Sequence, residues 1–192
     1  MTRREALLGA ATALMAAPAA AGDAMAIDEG TFVAINGMEQ WITIRGRDLK
    51  NPVLVWLHGG PGFPMSGMAP LFFDWEHRFT VVQWDQPGGG ATHARNRPAG
   101  EGPITRARML ADAIAVIEHV RRRLGVEKVL LMGISWGTQL GVEIAQRRPD
   151  LVAAYVGTAQ VVSGPRGSLL GYQLALEAAR KRRDTRAVRA LT

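Results

Sequence analysis

The sequence contains no cysteine. This absence excludes a disulfide-stabilised fold, a thiolate metal centre and a cysteine nucleophile. The sequence also lacks a cluster of histidine and carboxylate residues with the spacing of metal ligands, so we expect neither a metal nor any other cofactor. The formal net charge is +6, but no basic stripe is interleaved with aromatic residues, and we therefore expect no nucleic-acid partner.

Residues 1–21 have the composition of a signal peptide. Arg3 and Arg4 precede a mostly apolar stretch over residues 6–17, and alanines at 19–21 supply the small residues that a signal peptidase needs. The adjacent arginines loosely resemble a twin-arginine export signal. Because the apolar stretch is shorter than the roughly 20 residues that span a bilayer, we predict an exported protein, periplasmic or secreted, with no membrane span in its mature part. An alanine-rich tail is the alternative interpretation.

The remainder of the chain alternates strand patterns with helix patterns. With 47% hydrophobic residues in a chain of 192, it can form one domain with a substantial core. The alternation predicts an α/β fold, with a mostly parallel sheet and helices on both faces. The predicted elements are a hairpin over residues 31–44, strands at 52–57, 79–84, 129–132 and 151–156, helices near 69–75, over 105–124 and over 138–145, and two short helices around Asp184.

Residues 133–137, Gly-Ile-Ser-Trp-Gly, stand between a predicted buried strand and a predicted helix. A G-x-S-x-G turn in this position is typical of a nucleophile elbow, in which a sharp turn exposes a serine hydroxyl above the sheet edge. The turn brings the residues on either side of Ser135 close together, so both flanking glycines are needed to avoid a clash. An ordinary glycine-rich turn is the alternative interpretation of this motif by itself.

Two further glycine-rich loops, at residues 58–62 (His-Gly-Gly-Pro-Gly) and 85–90 (Asp-Gln-Pro-Gly-Gly-Gly), also follow predicted buried strands. Ligands bind at the carboxyl ends of strands in such sheets. Together with the elbow, these loops resemble the α/β-hydrolase family, most closely its proline-iminopeptidase-like branch, over roughly residues 30–190. The resemblance implies that residues 22–165 form the N-terminal part of the hydrolase domain and that residues 166–192 begin a helical cap.

The resemblance implies a role for each matching residue. Ser135 would attack a carbonyl carbon and form an acyl-enzyme, and the backbone N–H groups of Gly60 and Trp136 would form the oxyanion hole. His58 would be a structural residue of the oxyanion loop rather than the catalytic base. Pro87 stands where the family usually has arginine, so the groups that this guanidinium would pair with need another partner.

The family's remaining catalytic residues have no counterpart after Ser135. The order in this fold is serine, acid, histidine, whereas all four histidines precede Ser135. His93 could approach the mouth of the site but is not favoured as the base, and neither Asp150 nor Asp184 follows a later sheet strand. We interpret the chain as the N-terminal part of a longer hydrolase and expect it to be inactive alone.

The function that the resemblance implies is that of a serine hydrolase, an aminopeptidase of the proline-iminopeptidase type that releases N-terminal residues from peptides. An esterase or lactonase that uses the same serine is an alternative, with a small ester as its substrate. A truncated, catalytically inactive module with the hydrolase fold is a third interpretation. An epoxide hydrolase or dehalogenase is disfavoured, because those enzymes use an aspartate where Ser135 stands.

Overall fold

A computed structural model of the protein, which describes residues 26–192, begins with a β-hairpin. Strand β1 covers Ile27–Ile35 and strand β2 covers Met38–Gly46, and the two pair in antiparallel fashion. Asn36 and Gly37 join them with φ angles of 48° and 83°, the left-handed values that a tight hairpin turn requires. The predicted hairpin is thus confirmed, with longer strands than the pattern indicated. The predicted signal peptide lies outside the described residues.

Six strands form one open sheet in the order β1-β2-β4-β3-β5-β6. Strand β2 pairs with β4 in antiparallel fashion, and the pairs β3–β4, β3–β5 and β5–β6 are parallel, which confirms the predicted mostly parallel sheet. The further strands are β3 (Val53–Leu57), β4 (Thr80–Trp84), β5 (Val129–Ile134) and β6 (Val152–Thr158).

Among residues 26–192, five α-helices lie between or after the strands: α1 (Gly90–Asn96), α2 (Arg106–Leu124), α3 (Trp136–Arg147), α4 (Gly164–Lys181) and α5 (Thr185–Leu191). Helix α2 has the predicted ends. The side chain of Thr105 accepts a hydrogen bond from the N–H of Arg108, and Gly125 closes the helix with φ 68°. Asp184 separates α4 from α5 as predicted, because its side chain caps the N-terminus of α5.

Two local features differ in detail from the sequence pattern. The short helix predicted near residues 69–75 is formed by two 3₁₀ helices, Ser66–Phe72 and Trp75–His77, rather than by one regular helix. Pro70 lies inside the first of these, and Met68 has non-helical backbone angles, so a regular α-helix is interrupted there. Helix α1 was not predicted, because the preceding glycines indicated only a loop.

The core lies on both faces of the central strands, whose residues in β3 and β4 are all buried. Val55, Leu57 and Leu131 belong to the main cluster together with residues of α2 and α3, whereas Trp56 packs with Phe72 on the opposite face. Strand β6 forms an exposed edge, and α4 packs mainly against α5. Within the part of the chain that the structure describes, no helix combines the length and apolar character needed to cross a bilayer.

Candidate active site

Ser135 lies at the sharp turn between β5 and α3, with φ 51° and ψ −116°. A non-glycine residue with these angles is strained, and such strain typically costs about 1–3 kcal/mol. It persists only where the surroundings enforce it. Ser135 is partly exposed, at the carboxyl edge of the parallel strands.

The flanking glycines are required by close backbone contacts. A Cβ on Gly133 would lie 2.7 Å from the carbonyl oxygen of Gly137. A Cβ on Gly137 would collide with the carbonyl oxygen of Leu57, at the end of the neighbouring strand β3. Both positions therefore require glycine for a steric reason, because a side chain at either one would clash with neighbouring backbone atoms.

Two threonines fix the turn. The carbonyl of Ser135 accepts hydrogen bonds from the N–H of Thr138 at 2.9 Å and from its hydroxyl at 2.5 Å. The N–H of Ser135 donates to the carbonyl of Thr158 at 3.0 Å, and the hydroxyl of Thr158 donates to Gly133 at 3.3 Å. These bonds hold the strained serine between its own helix and the edge strand β6.

The three glycine-rich loops meet, because β4, β3 and β5 are neighbours in the sheet. A Cβ on Gly59 would lie 3.4 Å from Cβ of Ser135, which places the loop after β3 against the elbow. On its other side the same loop contacts the loop after β4, since a Cβ on Gly89 would lie 3.1 Å from Cα of Gly62. Residues 58–62 thus lie between the other two loops.

The backbone groups predicted for the oxyanion hole lie in these adjoining loops. Trp136 is the first residue of α3, so its N–H has no acceptor within the helix. Gly60, next to the Gly59 that contacts Ser135, has φ 114°, a value that favours glycine. A helix N-terminus also carries a partial positive charge, which suits a developing oxyanion.

His58 is buried, and both of its ring nitrogens are engaged. The N–H of Gln86 donates to Nε2 at 3.3 Å, so the proton of the neutral ring is on Nδ1, which lies 2.8 Å from the carbonyl oxygen of Gly59. Burial lowers the pKa of His58, although the Gly59 hydrogen bond and the nearby Asp85 oppose this effect. A neutral histidine bonded in this way supports the loop backbone.

Gln86 joins the loops on either side of it. Its side-chain amide donates to the carbonyl of His58 at 3.4 Å, and its Oε1 accepts the indole N–H of Trp136 at 3.2 Å. The sequence did not indicate a role for Gln86. The signal that could have found it was its place two residues after a buried strand, at the edge where ligands bind.

The other histidines lie elsewhere. His93 is in α1, where its Nδ1 lies 2.6 Å from Oε2 of Glu101, a pairing that the sequence did not indicate. His77 precedes β4 and so lies at the opposite edge of the sheet from Ser135. His119 follows Glu118, which bonds Arg148 beyond the far end of α3. Within residues 26–192, Oγ of Ser135 has no hydrogen bond to any histidine.

The two later aspartates are also engaged away from the site. Asp150 pairs with Arg148, with 2.8 Å between Oδ2 and Nη2, and Asp184 caps α5. The Arg148 hydrogen bond is the main factor that lowers the pKa of Asp150. Neither carboxylate is therefore placed to orient a base beside Ser135.

Pro87 is buried in the loop after β4, where the N–H of Gly89 donates to the carbonyl of Gln86 at 3.0 Å and closes a turn. The neighbouring Asp85 is also buried. Its Oδ2 accepts the N–H of Ala91 at 2.9 Å, whereas its Oδ1 has no partner among residues 26–192. A buried proline thus stands where the resemblance led us to expect arginine.

Comparison with known proteins identifies similar folds and sequences. The model of a family described as alpha/beta hydrolase fold matches residues 52–183. A probable aminopeptidase of Bacillus subtilis, YbaC, is 35% identical over 142 residues, which cover 73% of this chain and 44% of that protein. The chain therefore spans less than half of this curated relative.

Solved structures with a similar fold are found as well. A proline iminopeptidase-related protein from Thermus thermophilus has a TM-score of 0.53 and 26% identity, over 67% of this chain and 43% of its own. The epoxide hydrolase VrEH1 from Vigna radiata has a TM-score of 0.53 and 25% identity, over 68% of this chain and 39% of its own. The similarity thus covers the strands and loops that surround Ser135.

Proposed function

Because the chain belongs to the alpha/beta hydrolase fold family, we propose that it is a serine hydrolase in which Ser135 is the nucleophile. The observation that carries this proposal is the position of Ser135, strained at a strand-to-helix turn and in contact with the loop that contains Gly60. A strained serine at this edge has its hydroxyl directed away from the elbow backbone, where a substrate can reach it.

The proposed reaction is an acyl transfer. Oγ of Ser135 bonds to the substrate carbonyl carbon, and the π electrons of the carbonyl move to its oxygen. The N–H groups of Gly60 and Trp136 donate to that oxyanion, and losing one such donor typically costs about 2.7–4 kcal/mol of transition-state stabilisation. The serine proton passes to a general base. The oxyanion then re-forms the carbonyl, the bond between the carbonyl carbon and the leaving group breaks, and the leaving group takes this proton. Water subsequently hydrolyses the acyl-enzyme.

The substrate class is proposed from the relatives. The names of the B. subtilis and T. thermophilus proteins refer to aminopeptidase and proline iminopeptidase. We therefore propose a peptide substrate from which the N-terminal residue is released. An esterase or lactonase would use the same serine and oxyanion groups. The V. radiata protein is an epoxide hydrolase, but residue 135 offers a hydroxyl and not the carboxylate that such chemistry uses.

One observation favours a second candidate, a catalytically inactive module with the hydrolase fold. Within the described residues no histidine is hydrogen bonded to Ser135, and the ring of His58 is already bonded on both nitrogens. On this alternative the elbow is only a structural turn.

Covalent labelling distinguishes the two candidates. A fluorophosphonate should phosphonylate Ser135 of the 192-residue chain slowly. Labelling removes only one proton from each molecule, that of Ser135, and hydroxide can accept it. The reaction should therefore be faster at pH 9 than at pH 7. Ser135→Ala should abolish labelling, and Ser168→Ala, at an exposed serine of α4, should leave it unchanged. Equal labelling of wild type and Ser135→Ala, or no labelling of folded wild type, would refute the serine mechanism.

A further inference from the structure

Gln86 is completely buried, although its side chain is polar. It lies two residues after the end of β4, which is two strands away from β5 in the sheet order. Its side chain reaches the loop after β3 through the carbonyl of His58 and reaches the elbow through the indole of Trp136. Its main-chain N–H adds a third bond, to Nε2 of His58.

The chemistry of an amide explains why glutamine suits this position. The indole N–H of Trp136 requires an acceptor, and the carbonyl of His58 requires a donor. Oε1 and Nε2 of Gln86 supply these at 3.2 Å and 3.4 Å respectively. A carboxylate could not donate, and an apolar side chain could do neither. The partners also fix the orientation of the amide, because a flipped amide would face like groups on both sides.

We propose that Gln86 is a positioning residue, which sets the separation between the backbone N–H groups of Gly60 and Trp136. This inference rests on the serine mechanism proposed above. His58 lies two residues before Gly60, and Trp136 carries the other donor itself, so the bridge acts on both halves of the oxyanion hole. The hydrogen bonds between Gln86 and His58 are buried, so water does not compete for them, and the bond to Trp136 is partly buried.

The expected size of the effect follows from the sensitivity of such sites to geometry. A displacement of about 1 Å at a catalytic group can reduce a rate about a hundredfold. Without the bridge, the loops after β3 and β5 still touch at Gly59 and Ser135, so both donors remain. Their separation is no longer fixed, and we expect a loss of about tenfold to a hundredfold.

Gln86→Met tests the proposal, with Gln83→Met as a matched control. Gln83 is also buried and lies three residues earlier, within β4, but its amide donates to the carbonyl of Met65 at 2.9 Å and not to residues 58–62 or to the elbow. The rate of fluorophosphonate labelling at Ser135 should fall about tenfold to a hundredfold in Gln86→Met and less than about twofold in Gln83→Met. Thermal unfolding of both variants reports any general destabilisation.

Assigned amide resonances of Gly60 and Trp136 provide a readout that does not depend on labelling. Both resonances and the indole N–H of Trp136 should shift in Gln86→Met and stay in place in Gln83→Met. If wild type is not labelled, the serine mechanism fails, while these resonances still decide the role of Gln86. Unchanged resonances in folded Gln86→Met, or equal labelling losses in both variants, would overturn the proposal.

A measurement on the wild-type chain covers the case in which Gln86→Met does not fold. The indole N–H of Trp136, bonded to a buried amide oxygen, should exchange with deuterium markedly more slowly than that of a free indole. Exchange as fast as that of a free indole would show that the bridge is not formed, and would overturn the proposal.

Discussion

Gln40 and Asp112 are hydrogen bonded in the interior, with 3.0 Å between Nε2 and Oδ2, and neither side chain is exposed to solvent. The same carboxylate accepts Nδ2 of Asn36 at 2.7 Å, and Oε1 of Gln40 accepts the indole N–H of Trp84 at 2.7 Å. Arg108 lies 3.7 Å away and supplies a balancing charge. This network joins the β1–β2 hairpin and α2 to the end of β4, immediately before the loop that contains Gln86.

Removing the buried carboxylate should destabilise the whole fold. Asp112→Ala leaves the amides of Asn36 and Gln40 without their acceptor, and breaking a buried pair of this kind typically costs about 3–5 kcal/mol of unfolding free energy. Urea denaturation measures the loss. Glu118→Ala, on the same helix but in a partly exposed pair with Arg148, should change the urea midpoint little. Equal losses in the two variants would contradict the structural role of the network.

The stability of the protein should fall as the pH is lowered below about 6.5, partly because of His58. Burial lowers the pKa of His58 in the folded state, whereas an unfolded histidine titrates near 6.5. The unfolded state therefore binds the proton first. The stabilisation is fully present above about pH 6.5 and is lost as the pH falls toward the lower folded pKa. Urea unfolding at pH 7.5 and pH 5.5 measures this loss.

Two variants separate the contributions of the histidines. His58→Gln should reduce the loss of stability between these pH values, whatever its effect at pH 7.5. Burial, with the nearby Arg122 and Arg123, also lowers the pKa of His119, so His119→Gln should reduce the loss as well. A pH dependence that survives in the double variant would assign acid sensitivity to other groups.

A methyl group at Gly137 should disrupt the elbow. The new Cβ would meet the carbonyl oxygen of Leu57, which is fixed in strand β3 and cannot move aside cheaply. Gly137→Ala should therefore lower the thermal midpoint by many degrees or prevent folding. Gly171→Ala is the matched control, since that helical glycine has open space around it and should gain roughly 0.5–1 kcal/mol. Similar midpoints for the two variants would contradict the close approach at Gly137.

The sheet could be predicted from sequence because its signals are local. A continuous apolar run marked β3, and Asn36-Gly37 marked the hairpin turn. Helix α2 carried both of its end signals, at Thr105 and Gly125. These patterns depend on residues near one another in the chain, so a single sequence is sufficient to read them.

The connections around Gln86 could not be predicted in this way. Its partners are 28 and 50 residues distant in the chain, and they meet only because the strand order places β3 between β4 and β5. Helix α1 was also not predicted, because its start depends on a hydrogen bond and not on a local pattern. It begins within a run of glycines, and its start is fixed by the carboxylate of Asp85, which accepts the N–H of Ala91.

Export remains a prediction from the first residues. If residues 1–21 are a signal peptide, protein recovered from the periplasm or medium should begin near Gly22. N-terminal sequencing of the exported material gives this directly. Replacing Arg3 and Arg4 with lysine should reduce export if the twin-arginine route is used, and should have little effect on a general secretory signal. Soluble cytoplasmic protein with an intact Met1 would contradict the prediction.

The 192-residue chain should show negligible turnover by itself. No histidine among the described residues is hydrogen bonded to Ser135, and assistance from a general base is typically worth about 10²–10⁴-fold in rate. The oxyanion donors alone supply only the smaller remaining part of catalysis. Hydrolysis of proline naphthylamide and of a nitrophenyl ester by purified chain, with circular dichroism as the folding control, measures this. Robust turnover that disappears in Ser135→Ala would show that a base is present, and His93, with its ring held by Glu101, would be the first residue to replace.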